Sequence, residues 1–208
     1  MVVRMRQGLK VHFVEGESRV RAEAARLFLA LGCHAEVYDD LEELLRCPPR
    51  EGILIIRGDG IVGHAAGILA ALDDAGIGLP MVLASMFGEI ERVVDAVRAG
   101  AFDYLQLPLD RHRLSAIIQR AAREGEGHAR VRRQAIEARG RVRKLSNRER
   151  EVLRLVVGGS SNKLIARTLS ISPRTVEIHR ANMMSKLGAS HVAEAVRQWI
   201  EAKGEGGI

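Results

Sequence analysis

The 208-residue sequence predicts an α/β half followed by an all-α half: a doubly wound, five-stranded parallel sheet, a helical linker and a four-helix domain. Three observations carry this. Short apolar runs alternate five times with helical patterns up to residue 123. From Leu145 to Leu187, three helical patterns follow one another, each with its own start signal. The charge also divides, because residues 1–120 carry 14 Lys+Arg against 17 Asp+Glu and residues 121–208 carry 18 against 9. An acidic half joined to a basic half points to two domains, the basic one facing a polyanion.

The first half reads in order. Val11–Val14 (VHFV) is a strand. Residues 18–31 place Val20, Ala24, Leu27, Phe28 and Leu31 at helical spacing, and Gly32 ends that helix. Ala35–Tyr38 is the second strand, and Asp40 caps a brief helix, LEELLR. Gly52–Arg57 (GILIIR) is nearly all apolar, as a central parallel strand covered on both faces must be. A turn-rich Gly58-Asp59-Gly60 leads to a helix over 64–75, and Asp59 reads as a solvated turn residue. Met81–Ala84, the helix Glu89–Arg98 and Phe102–Leu105 complete the alternation, and residues 110–123 begin a fifth helix. Functional groups of such sheets gather at the carboxyl ends of the strands, here Glu15, Gly16 and Glu17, then Arg57, Ser85 and Leu107.

Bulk features exclude other classes. No apolar run approaches the roughly 20 residues needed to span a bilayer. The first residues lack a signal peptide's apolar core, so a cytoplasmic protein without membrane contact is expected. Cys33 and Cys47 form no metal-ligand spacing and no disulfide framework. No cofactor and no metal are expected.

The linker, residues 124–144, is basic and free of proline. A heptad can be drawn through Leu114, Ala121, His128, Ala135 and Val142, with Ile117, Val131, Ala138 and Leu145 on the second seam. Gly125 and Gly127 interrupt it at a helix cost of roughly 1 kcal/mol each. The reading that follows is a helix ending near Gly125, a break, and a separate basic helix; one continuous helix pairing with a second copy is the alternative.

In the last domain, residues 145–203, Ser146 and Glu149 form a capping box. Val152, Leu153, Leu155 and Val156 face inward, and Gly158-Gly159 stop the helix. Ser161 caps a second helix, with Leu164, Ile165 and Leu169 inward. Ser172 caps the third, with Pro173 at its first position, where a missing N–H costs nothing. On that helix Val176, His179, Met183 and Leu187 face the core. Arg174, Glu177, Ile178, Ala181, Asn182 and Ser185 then face out, as a helix entering the DNA major groove requires, with Thr175 beside them. Lys163, Arg174, Arg180 and Lys186 are placed to neutralise phosphates. Val192, Ala195, Val196 and Ile200, with Trp199 beside them, form the apolar face of a fourth helix.

On VHFVEGE, GILIIRGDG, LPMVLASMFGE and RAGAFDYLQLPL, residues 10–123 resemble the receiver domain of two-component response regulators, most closely the FixJ subgroup. The resemblance implies an acidic pair holding Mg²⁺ after the first strand and a phosphoacceptor Asp ending the third. It also implies a Ser or Thr after the fourth strand and a Lys after the fifth on the phosphate, and a switching aromatic on the fifth strand. Here the acidic pair is Glu15 and Gly16, the acceptor position holds Arg57, and the lysine position holds Leu107. Only Ser85 and Tyr104 match. A permanent cation cannot act as the nucleophile and disfavours a metal beside it, so a degenerate receiver not phosphorylated in the ordinary way is expected. Arg57 is placed to pair with Glu15 or Glu17, and Asp59, two residues on, is read as a solvated turn residue, with a displaced acceptor as the alternative.

On LSNREREVL, SNKLIARTLSISPRTVEIHRANMMSKLGA and AEAVR, the last domain resembles the LuxR/NarL-type helix-turn-helix, the motif proper lying at about 162–181. This implies double-stranded DNA with an inverted-repeat operator and a homodimer, for which Val192, Val196, Trp199 and Ile200 are the candidate contact. The leading expectation is a sequence-specific transcriptional regulator. The alternative is a module whose receiver binds an unidentified signalling partner, protein or small molecule, that gates DNA binding. An enzyme is not expected, since no Gly-rich phosphate loop and no nucleophile–base pair occur.

Overall fold

The structure is a computed structural model that describes residues 8–59 and 64–203. It divides into two compact units between Arg133 and Gln134.

The first unit holds five strands, β1 (Lys10–Val14), β2 (His34–Tyr38), β3 (Ile53–Arg57), β4 (Met81–Ser85) and β5 (Asp103–Gln106). They form one parallel sheet in the order β2-β1-β3-β4-β5. The interleaved helices are α1 (Ser18–Ala30), α2 (Leu41–Arg46), α3 (His64–Asp74), α4 (Ile90–Arg98) and α5 (Arg111–Arg143). Successive strand side chains point to opposite faces, so each strand feeds two cores. Val11, Phe13, Ile53, Ile55, Val82 and Ala84 pack on Ala24 and Phe28 of α1 and on Leu114, Ile117 and Ile118 of α5. Leu54, Ile56, Met81 and Leu83 pack on Leu44 of α2, Ile68 and Leu72 of α3 and Ala96 of α4. Phe28 is fully buried and meets Phe13 edge to face; truncating such a side chain to Ala costs about 3–5 kcal/mol.

Helix α5 does not break at Gly125. Tertiary contacts outweigh the glycine cost. Gly125 is buried, and a Cβ there would meet Pro80 Cγ at 3.3 Å, so the missing side chain lets the helix lie close to the turn that leads into β4. His128 stacks edge-on against Phe102, and Arg132 pairs with Asp73. The heptad is not one free seam either. Leu114, Ile117 and Ala121 are consumed by the first unit's core, while Val131 is exposed.

The second unit takes the last turns of α5 with α6 (Asn147–Val157), α7 (Asn162–Leu169), α8 (Pro173–Leu187) and α9 (Val192–Lys203). Its core is Leu145, Val152, Leu153, Val156, Ile165, Ala166, Val176, Met183, Leu187, Ala195 and Trp199. The capping box is complete, with Ser146 Oγ accepting from the Glu149 amide and Glu149 Oε2 accepting from the Ser146 amide at 2.7 Å. Ser161 and Ser172 cap α7 and α8 through the amides of Leu164 and Thr175. Ser170 and Gly188 end these helices in the left-handed region.

Two inward assignments are corrected. Leu164 is half exposed, and Ala166 takes the inner position on α7. On α9 the buried set is Ala195, Gln198 and Trp199, while Val192 and Ile200 are exposed. The indole is the largest apolar group on the helix, and Ala195, one turn before it, shares its buried side. Trp199 is therefore core and leaves the surface available to a partner.

Candidate functional site

Two sites lie in the two units, and each is built from the ends of regular elements. In the second unit the candidate recognition face is the outer face of α8. Its cap orders the first turn: Ser172 Oγ accepts from the Thr175 amide at 3.0 Å and lies 2.8 Å from Thr175 Oγ1. Thr175 is thus half-buried and engaged in the cap. Val176, Met183 and Leu187 are fully buried and His179 is half-buried, which turns Arg174, Glu177, Ile178, Ala181, Asn182 and Ser185 outward. Ile178, half exposed, puts a branched apolar surface in the middle of this face.

The candidate cations separate into two groups. Lys163 is exposed on the first turn of α7, and Arg174 is almost wholly exposed, with only a loose pair to Glu177 at 3.7 Å. Arg180 instead donates to Asn162 Oδ1 at 2.6 Å, tying α8 to the start of α7. Lys186 donates to both oxygens of Glu149 at 2.9 and 2.7 Å. Glu149 is buried, which works against its charge. The Lys186 bonds and the Ser146 amide more than offset this and hold its carboxyl below the usual range. Glu149 thus binds α6 to α8, and the sequence shows only its capping role.

In the first unit the strand ends converge on Arg57. Its Nη1 donates to Glu15 Oε1 at 2.7 Å, and its Nε to Asp59 Oδ2 at 3.3 Å. Glu15 is almost fully buried; Oε1 also accepts from the Glu17 amide at 3.0 Å, and Oε2 is left without a hydrogen bond. The Glu17 side chain is exposed and is not the partner. The hydrogen bond that Arg57 donates to Glu15 raises the guanidinium's affinity for its proton further, and the cation is permanent. A Cβ at Gly16 would meet nothing nearer than the Asp39 carbonyl at 3.8 Å, and Leu107 is buried and apolar. The set does not suit a divalent cation, which needs several oxygen ligands. Glu15 is bound to a guanidinium, Gly16 offers no side chain, and among the described residues no group of three metal-ligating side chains occurs.

Asp59 is not the solvated turn aspartate expected. Its side chain is 11% exposed. Oδ1 accepts from Ser85 Oγ, and Oδ2 accepts from the Met86 amide at 2.8 Å. Burial opposes its charge, yet these donors and Arg57 hold its carboxyl below the ordinary range. Nothing near Asp59 in the chain announces this, since Ser85 and Met86 arrive from another strand. Ser85 Oγ accepts in turn from the Phe87 amide at 3.1 Å, and the buried Tyr104 donates its hydroxyl to the Phe87 carbonyl. A cavity of about 320 Å³ opens beside Asp59, Ser85, Leu83 and Tyr104.

A five-stranded parallel sheet followed by a capped helix-turn-helix defines the class of two-component transcriptional response regulators. Residues 143–199 match the family described as bacterial regulatory proteins, luxR family. The transcriptional regulatory protein FixJ of Bradyrhizobium diazoefficiens is 32% identical over 92% of this chain and 95% of its own length. That of Rhizobium meliloti is 35% identical over 90% and 93%. The crystal structure of full-length FixJ from B. japonicum aligns over 93% of this chain and 97% of its own, at 30% identity and a TM-score of 0.52. The chain belongs to the FixJ-like family of response regulators with a LuxR-type helix-turn-helix, and it is a DNA-binding transcriptional regulator.

Proposed function

We propose that this regulator binds a specific operator as a homodimer and that its receiver works without aspartyl phosphorylation. The observation carrying this is the Arg57–Glu15 pair at 2.7 Å, a guanidinium at the acceptor position bound to the one remaining carboxylate of the acidic pair. A cation there supplies no nucleophile and repels a metal. Recognition falls to Glu177, Ile178, Ala181 and Asn182 on α8, with Thr175 and Arg180 shaping that face and Lys163, Arg174 and Lys186 adding charge. The protein acts in the cytoplasm and is not an enzyme. No helix among the described residues is long and apolar enough to cross a membrane.

The homodimer is supported by α4. Ile90, Val94 and Val97 are exposed at helical spacing and continue into exposed Met86 and Phe87. Glu91 and Arg98 flank the stripe on one side, seven residues apart. About a two-fold axis near Val94, Glu91 of one copy meets Arg98 of the other, which makes the face self-complementary.

The experiment treats the protein with acetyl phosphate and Mg²⁺, then measures intact mass, sedimentation, and affinity for a selected duplex against a random one. The mass and oligomeric state stay unchanged, and the untreated dimer prefers the selected duplex by about a thousandfold. An acid-labile phosphoryl adduct on an aspartate, or equal affinity for both duplexes, overturns the reading. The cavity beside Asp59 and Ser85 favours a second reading, in which a small molecule or protein bound by the receiver gates DNA binding. An untreated monomer that does not bind DNA selects it.

A further inference from the structure

We propose that Asp59 is a resident anion that fixes the loop between β4 and α4 and thereby keeps the apolar face of α4 presented. This rests on the reading that no phosphoryl group enters the cleft and names what takes its place in controlling that face.

The geometry is a chain of contacts from the sheet's floor to the surface. Glu15, buried at the end of β1, fixes Arg57 at the end of β3. Arg57 Nε then holds Asp59. A second guanidinium, that of Arg92 on α4, stands 4.0 Å from Asp59 Oδ1. Asp59 receives two donors from the segment after β4, Ser85 Oγ and the Met86 amide. No backbone bond of the sheet reaches Met86, whose amide is satisfied by this carboxylate. Beyond it, Phe87 is held at both ends, its amide on Ser85 Oγ and its carbonyl under the Tyr104 hydroxyl. Arg92 lies over the Phe87 ring at 5.3 Å. Asp59 thus holds Met86 directly and Phe87 through Ser85, the two residues that carry the exposed apolar surface into Ile90 and α4.

The charge is essential to this arrangement. Asp59 collects the Ser85 hydroxyl, the Met86 amide and the Arg57 guanidinium, which it shares with Glu15, while Arg92, 4.0 Å away, pairs mainly with Glu89. Arg57 keeps Glu15 and Arg92 keeps Glu89 at 2.8 Å whatever stands at 59, so a neutral residue there costs the Ser85 hydroxyl and the Met86 amide their charged acceptor. Asp59 is contributed by the turn after β3, so it is present in every copy at all times and needs no donor. The face of α4 is set by the sequence, whatever the phosphorylation state of the cell.

The test uses the full chain and four proteins: wild type, Asp59→Ala, Asp59→Asn and Ser85→Ala. Backbone amide exchange over residues 85–97 and the dimer constant from sedimentation are read, with far-UV circular dichroism confirming the fold. In Asp59→Ala the Met86 and Phe87 amides exchange about tenfold faster or more, because a charged acceptor has been removed. The dimer weakens by a similar factor. Asp59→Asn, which keeps the shape and loses the charge, moves in the same direction. Ser85→Ala leaves the carboxylate in place and loosens Phe87 more than Met86. Added formate enters through the cavity of about 320 Å³ and restores slow exchange in Asp59→Ala, with sodium chloride at equal ionic strength having no such effect. Unchanged exchange in Asp59→Ala and Asp59→Asn overturns the proposal, as does faster exchange that formate does not reverse. An adduct formed with acetyl phosphate sinks the phosphorylation-independent reading by mass alone, and the exchange experiment is read without any phosphodonor, so the two failures are told apart.

Discussion

Glu149 joins two tasks that usually fall to different residues. It closes the capping box of α6 and receives Lys186 from α8 while 4% exposed. Lys186→Ala would leave this carboxylate facing no cation. A stability loss of about 1–3 kcal/mol is expected, from the unpaired acceptor rather than from the lost charge pair. The sign with pH follows from the direction of the shift. The folded carboxyl titrates below its unfolded value, so its contribution is present above the ordinary carboxylate range and is lost as pH falls through the folded value. Urea titrations of wild type and Lys186→Ala at neutral pH and below the carboxylate range check this. The deficit of the variant shrinks in acid, and an equal deficit at both pH values would refute the role of the pair.

At the scale of the element, α5 carries the lesson of the two glycines. Gly127 has no neighbour within 4 Å of a Cβ, while Gly125 meets Pro80 Cγ at 3.3 Å. Gly127→Ala should therefore stabilise the chain by about 0.5–1 kcal/mol, raising the melting temperature by roughly 1–4 °C. Gly125→Ala should give no gain, because Pro80 must yield. Scanning calorimetry of both variants decides it, and equal gains would count against close packing at Pro80. The fold was legible because its elements have clear periods: all five strands and the caps at Asp40, Ser146, Ser161 and Ser172 lie where alternation and capping chemistry put them. The continuity of α5 was not, because propensity argues against Gly125 and Gly127 and only the packing of Pro80, Phe102 and Asp73 reverses it. The same holds in the cleft. That Arg57 ends β3 is readable from one position, but Asp59's bonds to Ser85 and Met86 join residues 26 and 27 apart and have no local signature. On α9, Gln198 hides a buried position behind a polar name, which misplaces the apolar face by one residue.

At the scale of the whole molecule, charge is divided by use as well as by position. In the first unit several cations of the cleft and of α5 are spent internally: Arg57 on Glu15, Arg120 and Arg113 on Asp103, Arg132 on Asp73. In the second unit the cations of the helix-turn-helix are only partly so. Lys186 and Arg180 hold the helices together, whereas Lys163 and Arg174 stand exposed at the ends of α7 and α8 nearest the recognition face. DNA affinity should follow this division. Each phosphate neutralised contributes about 0.9 to the slope of log affinity against log salt, so Lys163→Ala and Arg174→Ala should each lower that slope by about 1 and weaken all duplexes alike. Lys186→Ala should leave the slope near the wild-type value and show its loss in stability instead. Ile178→Ala and Glu177→Lys, on the exposed face of α8, should alter the preferred sequence by about 1–3 kcal/mol at one base pair. Fluorescence titrations of selected and random duplexes across a salt series separate these outcomes. A wild-type slope retained by both Lys163→Ala and Arg174→Ala, or a slope lost on Lys186→Ala with stability intact, would show that the exposed and the paired cations have been assigned the wrong way round.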